Sequence, residues 1–208
     1  MGKTEVWSTI HRERAALDAD LQSLSATQWD TPSLCPGWSV RDVLGHMTST
    51  NEMTPPKFFA SIIGSGFSFE KLQRKAIEEQ TQGTPADTLA RFAATVNSTT
   101  HPPGPIDSWL GETLVHAEDI RRPLGITHQY PADAVGQVAD FYRGSNLIIG
   151  GKKRAAGLTL KATDSDWSAG DGPEVSGPGN SLLLAIAGRP AALDDLSGDG
   201  VAVLRERM

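Results

Sequence analysis

Glu112 and His116 are the first pair of residues in this 208-residue chain whose types and spacing suggest chemistry. They lie at one edge of the apolar stripe that Leu110, Leu114 and Val115 form on a predicted helix. Side chains four residues apart on a helix are neighbours, with β-carbons about 6 Å apart. A carboxylate oxygen and an imidazole nitrogen at this spacing can therefore ligate one ion together.

A third ligand has to come from another helix, and His46 is the candidate. It lies at the margin of the apolar stripe of a helix predicted to begin at Ser39, where Asp42 completes a capping box. Helix bundles bring inward-facing side chains of different helices together. Two histidines and one carboxylate leave positions open for water or substrate and suit zinc best, with iron(II), manganese or nickel as alternatives. The same residues could instead be packed polar groups without a metal.

The helices that would position these ligands are predicted from apolar periodicity and capping residues. They run from Glu5 to about Leu24, from Ser39 through Met47, from Thr84 through Val96, from a cap at Asp107 or Ser108 to before Pro123, and from Ala132 to about Ile149. Residues 56–82 are interrupted by glycines and predict either two short helices or a mobile lid, and this apolar segment could also form a dimer contact.

The pattern changes after Gly150 and Gly151. LTLKAT and PEVSG are typical of strands, SLLLAIAG of a compact helix ending at Gly188, and the last 15 residues of a turn followed by a strand or helix. We therefore predict an α+β protein, with a helical bundle over residues 1–151 and a small α/β domain over residues 152–208.

Composition excludes several functional classes. The net charge is −6 and the basic residues are scattered among acids, which argues against nucleic acid as a partner. The single cysteine, Cys35, excludes an internal disulfide and fits a reducing compartment. The N-terminal residues are charged, and no apolar run approaches the roughly 20 residues that span a bilayer. We expect a cytoplasmic protein with no membrane partner.

Three segments together resemble one known family. They are LCPGWSVRDVLGHM (34–47), GETLVHAEDIRRPLG (111–125) and ATDSDWSAGDGPEVSGPGNSLLLAIAGR (162–189). This combination is similar to the mycothiol-dependent maleylpyruvate isomerase family of actinobacteria, within the DinB-like superfamily. The resemblance implies a DinB-like four-helix bundle followed by a smaller α/β domain. It also implies a divalent metal, typically Zn²⁺, held by His46, Glu112 and His116.

The resemblance further implies mycothiol as a thiol cosubstrate and a small electrophilic substrate. A divalent cation deprotonates a thiol that is otherwise mostly protonated at neutral pH. Addition of the thiolate to a conjugated double bond permits cis-trans isomerisation, whereas in related S-transferases the adduct is the product. A non-catalytic module that binds metal or a small ligand is the alternative.

Isomerisation of maleylpyruvate requires groups that hold carboxylates, and arginine does this best because its planar fork binds them bidentately. No motif assigns an arginine to this task, so we expect thiol transfer ahead of isomerisation. The available arginines are Arg121, Arg122, Arg189, Arg205 and Arg207.

Asp119 lies three residues after His116 and has two interpretations. Its carboxylate could accept the second ring N–H of the ligand histidine and so orient it. It could equally pair with Arg122.

The segment before the second helix contributes three residues with structural interpretations. Cys35 is expected to occupy a loop and not to act as a nucleophile, because no histidine is close to it in the sequence. Trp38 is expected to pack just before the Ser39 cap, and Arg41 to form a salt bridge.

Overall fold

The computed structural model describes residues 1–147 and 149–208. This part of the chain divides into two compact units, Lys3–His128 and, together with Met1–Gly2, Gln129–Met208. The first unit contains α1 Lys3–Leu21, α2 Val40–Glu52, α3 Pro55–Gly64, α4 Phe69–Gln80, α5 Pro85–Thr95 and α6 Ile106–Arg121, with a 3₁₀ helix at Ala26–Asp30.

Helices α1, α2, α5 and α6 form a four-helix bundle. Helix α1 packs against α6, and α2 packs against both α5 and α6. Burial of apolar side chains drives this packing, and the bundle predicted from the sequence is confirmed. The fully buried side chains of the bundle include Ile10, Leu17, Leu44, Met47, Phe92, Leu110 and Leu114.

Two of the predicted helix starts form the expected caps. The Asp42 amide donates to Ser39 Oγ at 3.2 Å and the Ser39 amide donates to Asp42 Oδ2 at 2.9 Å, so the capping box at the start of α2 is present. Thr84 and Asp87 make the same reciprocal pair before α5, with Pro85 at the first helical position. These local signals fix the beginnings of α2 and α5.

The predicted start of α6 at Asp107 or Ser108 is wrong. The helix begins at Ile106, and Pro105 occupies the capping position with an extended backbone. Proline cannot donate a hydrogen bond and has a fixed φ, so it suits the position just before a helix without a side-chain cap. The predicted end before Pro123 is correct, because α6 ends at Arg121.

Residues 55–80 form two short helices, α3 and α4, which is the first of the two alternatives predicted for this segment. Its exposed apolar side chains are Phe59, Ile63, Phe67 and Phe69. The predicted dimer contact stays a prediction.

The contact between α2 and α4 depends on Gly45, the residue before His46. A β-carbon at position 45 would lie 2.8 Å from Cγ2 of Thr81, which caps the C-terminal end of α4. Glycine is therefore required for this close approach of the two segments.

The second unit is a small α/β arrangement. It contains α7 Ala132–Gly144, α8 Gly151–Ala155, β1 Thr159–Ala162, β2 Ser168–Ala169, β3 Glu174–Gly177, α9 Gly179–Ile186, a 3₁₀ helix at Pro190–Asp195, and α10 Gly200–Arg205. The sheet order is β2-β1-β3. Leu160 of β1 pairs with Ala169 in the antiparallel ladder and with Val175 in the parallel one. Helix α9 covers the sheet and also packs against α7.

Two predictions differ from the structure in this unit. The helix predicted to reach Ile149 ends at Gly144, where Ser145 adopts an extended backbone. The predicted division between residues 151 and 152 falls inside the second unit, because α7 packs against α8 and α9. Of the two alternatives for the C-terminal segment, a helix forms, α10.

Within residues 1–147 and 149–208, no helix has both the length and the apolar character needed to cross a membrane.

Candidate metal site

Helices α2 and α6 bring His46, Glu112 and His116 together. Each contributes a potential ligand atom, and these three atoms lie within 4.8 Å of one another. The two imidazole rings meet edge to face, with centroids 5.0 Å apart and an interplanar angle of 83°. The three ligand positions predicted from the sequence are therefore adjacent in the folded bundle.

The Glu112 carboxylate is buried beside His116 and Arg14. Among the described residues, neither of its oxygens has a partner in a well-formed hydrogen bond. Burial raises the pKa of Glu112, while the charges of His116 and Arg14 and the Thr50 hydroxyl act in the opposite direction. Buried carboxylate oxygens are normally paired, so this pair of oxygens fits a site for a cation.

His46 is in the protonation state that a metal requires. Burial and the positive charge of His116 lower the pKa of His46 to about 3, although Asp119 acts in the opposite direction. The imidazole is therefore neutral at pH 7, and neutral imidazole is the ligand form of histidine.

His116 is oriented by Asp119. Its Nδ1 donates to Asp119 Oδ2 at 2.8 Å, and the Asp119 side chain is fully buried. Burial opposes the charge on His116, but the hydrogen bonds with Asp119 and Cys35 prevail and raise the pKa of His116 to about 10. With Nδ1 engaged, Nε2 is the nitrogen that remains for an ion. Arg122 pairs with Glu118 at 3.0 Å.

Cys35 belongs to the same cluster. Its Sγ donates to Asp119 Oδ2 at 3.0 Å and lies 3.7 Å from Nδ1 of His116. Cys35, His116 and Asp119 form a second group of potential ligands within 4.8 Å of one another. Cys35 has no histidine close to it in the sequence, but folding brings it beside His116, which is 81 residues away in the chain.

Trp38 and Arg41 make contacts that the sequence did not predict. The Trp38 ring lies 5.1 Å from the His46 ring. Arg41 donates to the hydroxyl of Thr88 at 3.0 Å and to the carbonyl oxygens of Thr81 and Gly83 at 2.6 and 2.8 Å. Its hydrogen bonds to neutral groups replace the predicted salt bridge.

Arg14 is a charged residue of the site that was not predicted from the sequence. It is 1% exposed within the bundle, and one guanidinium nitrogen donates to the Ser98 carbonyl at 3.0 Å. Its charge favours the ionised form of Glu112. The available signal was its position in the stripe of α1, four residues after Ile10 and three before Leu17, where an apolar residue is expected.

Three of the arginines considered for substrate carboxylates have partners in the structure. Arg121 pairs with Asp20 at 2.7 Å. Arg122 pairs with Glu118, and Arg207 donates to the carbonyl oxygens of Arg154 and Ala156.

The chain folds as a four-helix bundle and a small α/β unit. Residues 10–103, a little under half of the chain, match the family described as the mycothiol maleylpyruvate isomerase N-terminal domain. The matched range includes Cys35, Trp38 and His46 and ends before Glu112. The family resemblance seen in the sequence is thereby confirmed.

Two solved structures share the fold. The crystal structure of the mycothiol-dependent maleylpyruvate isomerase matches with a TM-score of 0.68 and 14% identity, over 96% of this chain and 93% of that chain. A histidine-to-alanine mutant of the mycothiol-dependent maleylpyruvate isomerase matches with a TM-score of 0.65, at the same identity and coverage. A comparison with curated proteins found no match.

Proposed function

We propose that this chain is a divalent-metal-dependent enzyme of the maleylpyruvate isomerase type, which uses a small thiol, mycothiol, on a small electrophilic substrate. The observation that supports the proposal is the cluster of ligand atoms from His46, Glu112 and His116, which lie within reach of one ion. Within it, the buried carboxylate oxygens of Glu112 have no well-formed hydrogen bond. Two nitrogens and one oxygen in an open three-ligand set are typical of catalytic zinc. The family of residues 10–103 supports the thiol assignment.

A bound divalent cation would lower the pKa of a thiol and hold it as the thiolate at neutral pH. The chain supplies the surroundings for that anion. His46 is neutral, and Asp119 holds the ring of His116. The charges of Glu112, Asp119 and Arg14 sum to minus one, so a dication leaves the site with a single positive charge. One thiolate neutralises that charge, which favours a monoanionic ligand in a buried site.

Thiol transfer is our preferred reaction, ahead of isomerisation of maleylpyruvate itself. A dicarboxylate substrate calls for arginines that are free to bind carboxylates. Arg121 and Arg122 are held in ion pairs with Asp20 and Glu118, and they would have to leave those partners to bind a substrate.

Metal analysis tests the foundation of this proposal. The protein is stripped with a chelator and titrated with Zn²⁺ under chelator competition, alongside His46→Ala, His116→Ala and the control His11→Ala. His11 lies on α1, where its ring contacts the Ser98 carbonyl. We expect one ion per chain in the wild type and the control and strongly reduced affinity in the two site variants. Equal affinity in all four proteins would refute the site.

Activity then distinguishes the reactions. The zinc-loaded protein is incubated with mycothiol and either maleylpyruvate or a panel of small electrophiles, and products are separated by mass spectrometry. Conjugates that accumulate with an electrophile support thiol transfer. Conversion of maleylpyruvate to its trans isomer without a stable conjugate would replace transfer by isomerisation. Ligand binding without either product would favour the non-catalytic module.

A further inference from the structure

The loop between Ser33 and Trp38 is closed on itself and attached to α6. The Ser33 amide and hydroxyl both donate to the Trp38 carbonyl, at 2.9 and 2.8 Å, and the Trp38 amide donates to the Cys35 carbonyl at 3.1 Å. Gly37 provides the left-handed backbone of the turn, with φ of 78°. The Leu34 amide donates to the Asp119 carbonyl at 3.1 Å. The loop is therefore fixed relative to the helix that carries His116.

One end of this loop acts on the surroundings of His116. Cys35 is 8% exposed, and its thiol donates to the same Asp119 oxygen that accepts the N–H of His116. A carboxylate oxygen that accepts both bonds is restrained from two directions. The imidazole that it orients is restrained in turn.

The other end of the loop acts on His46. The Trp38 ring lies 5.1 Å from the imidazole of His46, at an interplanar angle of 53°. Aromatic rings at this separation are in packing contact. One short segment thus contacts the surroundings of both histidines, although these stand on different helices.

We infer that Cys35 and Trp38 are positioning residues that preorganise the two histidines for metal binding, Cys35 through Asp119 and Trp38 by direct packing. The inference rests on the proposed metal site. It assigns Cys35 the role of a hydrogen-bond donor to Asp119, whereas the second ligand group also allows Cys35 to bind an ion itself. Loss of a group that orients a ligand lowers metal affinity by about 10–100-fold.

Cys35→Ser and Cys35→Ala separate these roles. Serine keeps a donor at this position and alanine removes it. We expect Zn²⁺ affinity, measured by chelator competition, to stay within about threefold of wild type in Cys35→Ser and to fall by about 10-fold or more in Cys35→Ala. Rescue by serine is an outcome that a role in packing alone does not predict.

Co²⁺ substitution gives a spectroscopic check on the same variants. A sulfur ligand produces a strong charge-transfer band in the near ultraviolet, and nitrogen and oxygen ligands do not. We expect no such band in the wild type. A band that disappears in Cys35→Ser would show that Cys35 is a ligand and would overturn its positioning role.

Trp38→Phe and Trp38→Ala test the other end of the loop, with Trp29→Phe as the control. Trp29 is buried and lies in the 3₁₀ helix. We expect Trp38→Phe to keep most of the affinity, Trp38→Ala to lose about 10-fold, and Trp29→Phe to alter thermal stability without altering affinity.

Two results would overturn either the positioning role or the metal site on which it rests. If wild-type protein binds Zn²⁺ and both alanine variants bind it equally well, the positioning role is wrong while the metal site stands. If the wild type does not bind, the proposed metal site fails instead. Circular dichroism of each metal-free variant identifies those that do not fold, and for these the serine or phenylalanine variant provides the comparison.

Discussion

Nδ1 of His116 donates a hydrogen bond of 2.8 Å to Asp119, one turn further along α6. Burial opposes the charged imidazole, but this bond and the contact with Cys35 raise the pKa of His116 to about 10. In the metal-free protein the ring is therefore protonated at pH 7. An ion that takes Nε2 has to displace a proton.

We predict that Zn²⁺ binding near neutral pH releases a proton from His116 and becomes tighter as the pH rises toward 10. The measurement is calorimetry in two buffers with different ionisation enthalpies. The Asp119→Asn variant should release fewer protons on binding Zn²⁺, because it lacks the carboxylate that raises the pKa of His116. The pH dependence of folding stability is opposite to that of Zn²⁺ affinity. Because the pKa of His116 is raised in the folded protein, protonation stabilises the metal-free fold fully below about pH 6.5, and this stabilisation is lost as the pH passes about 10. A binding heat that does not depend on the buffer would contradict the prediction.

Glu112→Gln should be at least as stable as wild type without metal and less stable than wild type when Zn²⁺ is added. Burial raises the pKa of Glu112, so the metal-free fold loses stability as the pH rises above the ordinary glutamate value of 4.5. Glutamine carries no charge, and metal-free Glu112→Gln should therefore be at least as stable as wild type at pH 8. With Zn²⁺ at 100 times its Kd, only the wild type gains about 2.7 kcal/mol. Thermal unfolding with and without Zn²⁺ measures the stability of the metal-free proteins and the stabilisation by Zn²⁺. If Zn²⁺ stabilises the variant as much as wild type, Glu112 is not a ligand.

Local signals in the sequence were sufficient for much of the fold. Ser39 with Asp42 and Thr84 with Asp87 are reciprocal caps that involve only residues three apart, and both form as predicted. The start of α6 was missed because Pro105 replaces a side-chain cap, so the polar residues after it gave a false signal.

Part of the candidate site could likewise be predicted from the sequence, and part could not. Glu112 and His116 share one helix edge, so their adjacency follows from helix geometry. Cys35 and Arg14 reach the site through tertiary packing of the loop and of α1, and no spacing along the chain encodes those contacts. The role of Arg14 could be suspected only because a charge interrupts an apolar stripe.

Leu114→Ala should destabilise the bundle strongly. Leu114 is fully buried on α6, and removal of a buried leucine side chain costs about 2–5 kcal/mol. Ile63→Ala is the control, because Ile63 is 63% exposed and surface substitutions are usually within about 0.5 kcal/mol. Urea unfolding of both proteins measures the difference. Similar midpoints for the two variants would contradict the packing described for α6.

Gly170→Ala should disrupt the C-terminal sheet more than Gly157→Ala. Both glycines have positive φ, 91° and 63°, so alanine is strained at either position. A β-carbon at 170 also collides with the Leu158 carbonyl, while one at 157 meets nothing within 4 Å. Hydrogen exchange of the β1 amides should therefore accelerate much more in Gly170→Ala. Equal protection in the two variants would mean that the sheet adjusts to the added carbon.

The close approach of Gly45 to Thr81 links α4, a helix outside the four-helix bundle, to the candidate site. Thr81 ends α4, the helix whose first residue, Phe69, has an exposed aromatic side chain, and Gly45 immediately precedes His46. The end of α4 therefore packs against the turn of α2 that carries a histidine of the cluster.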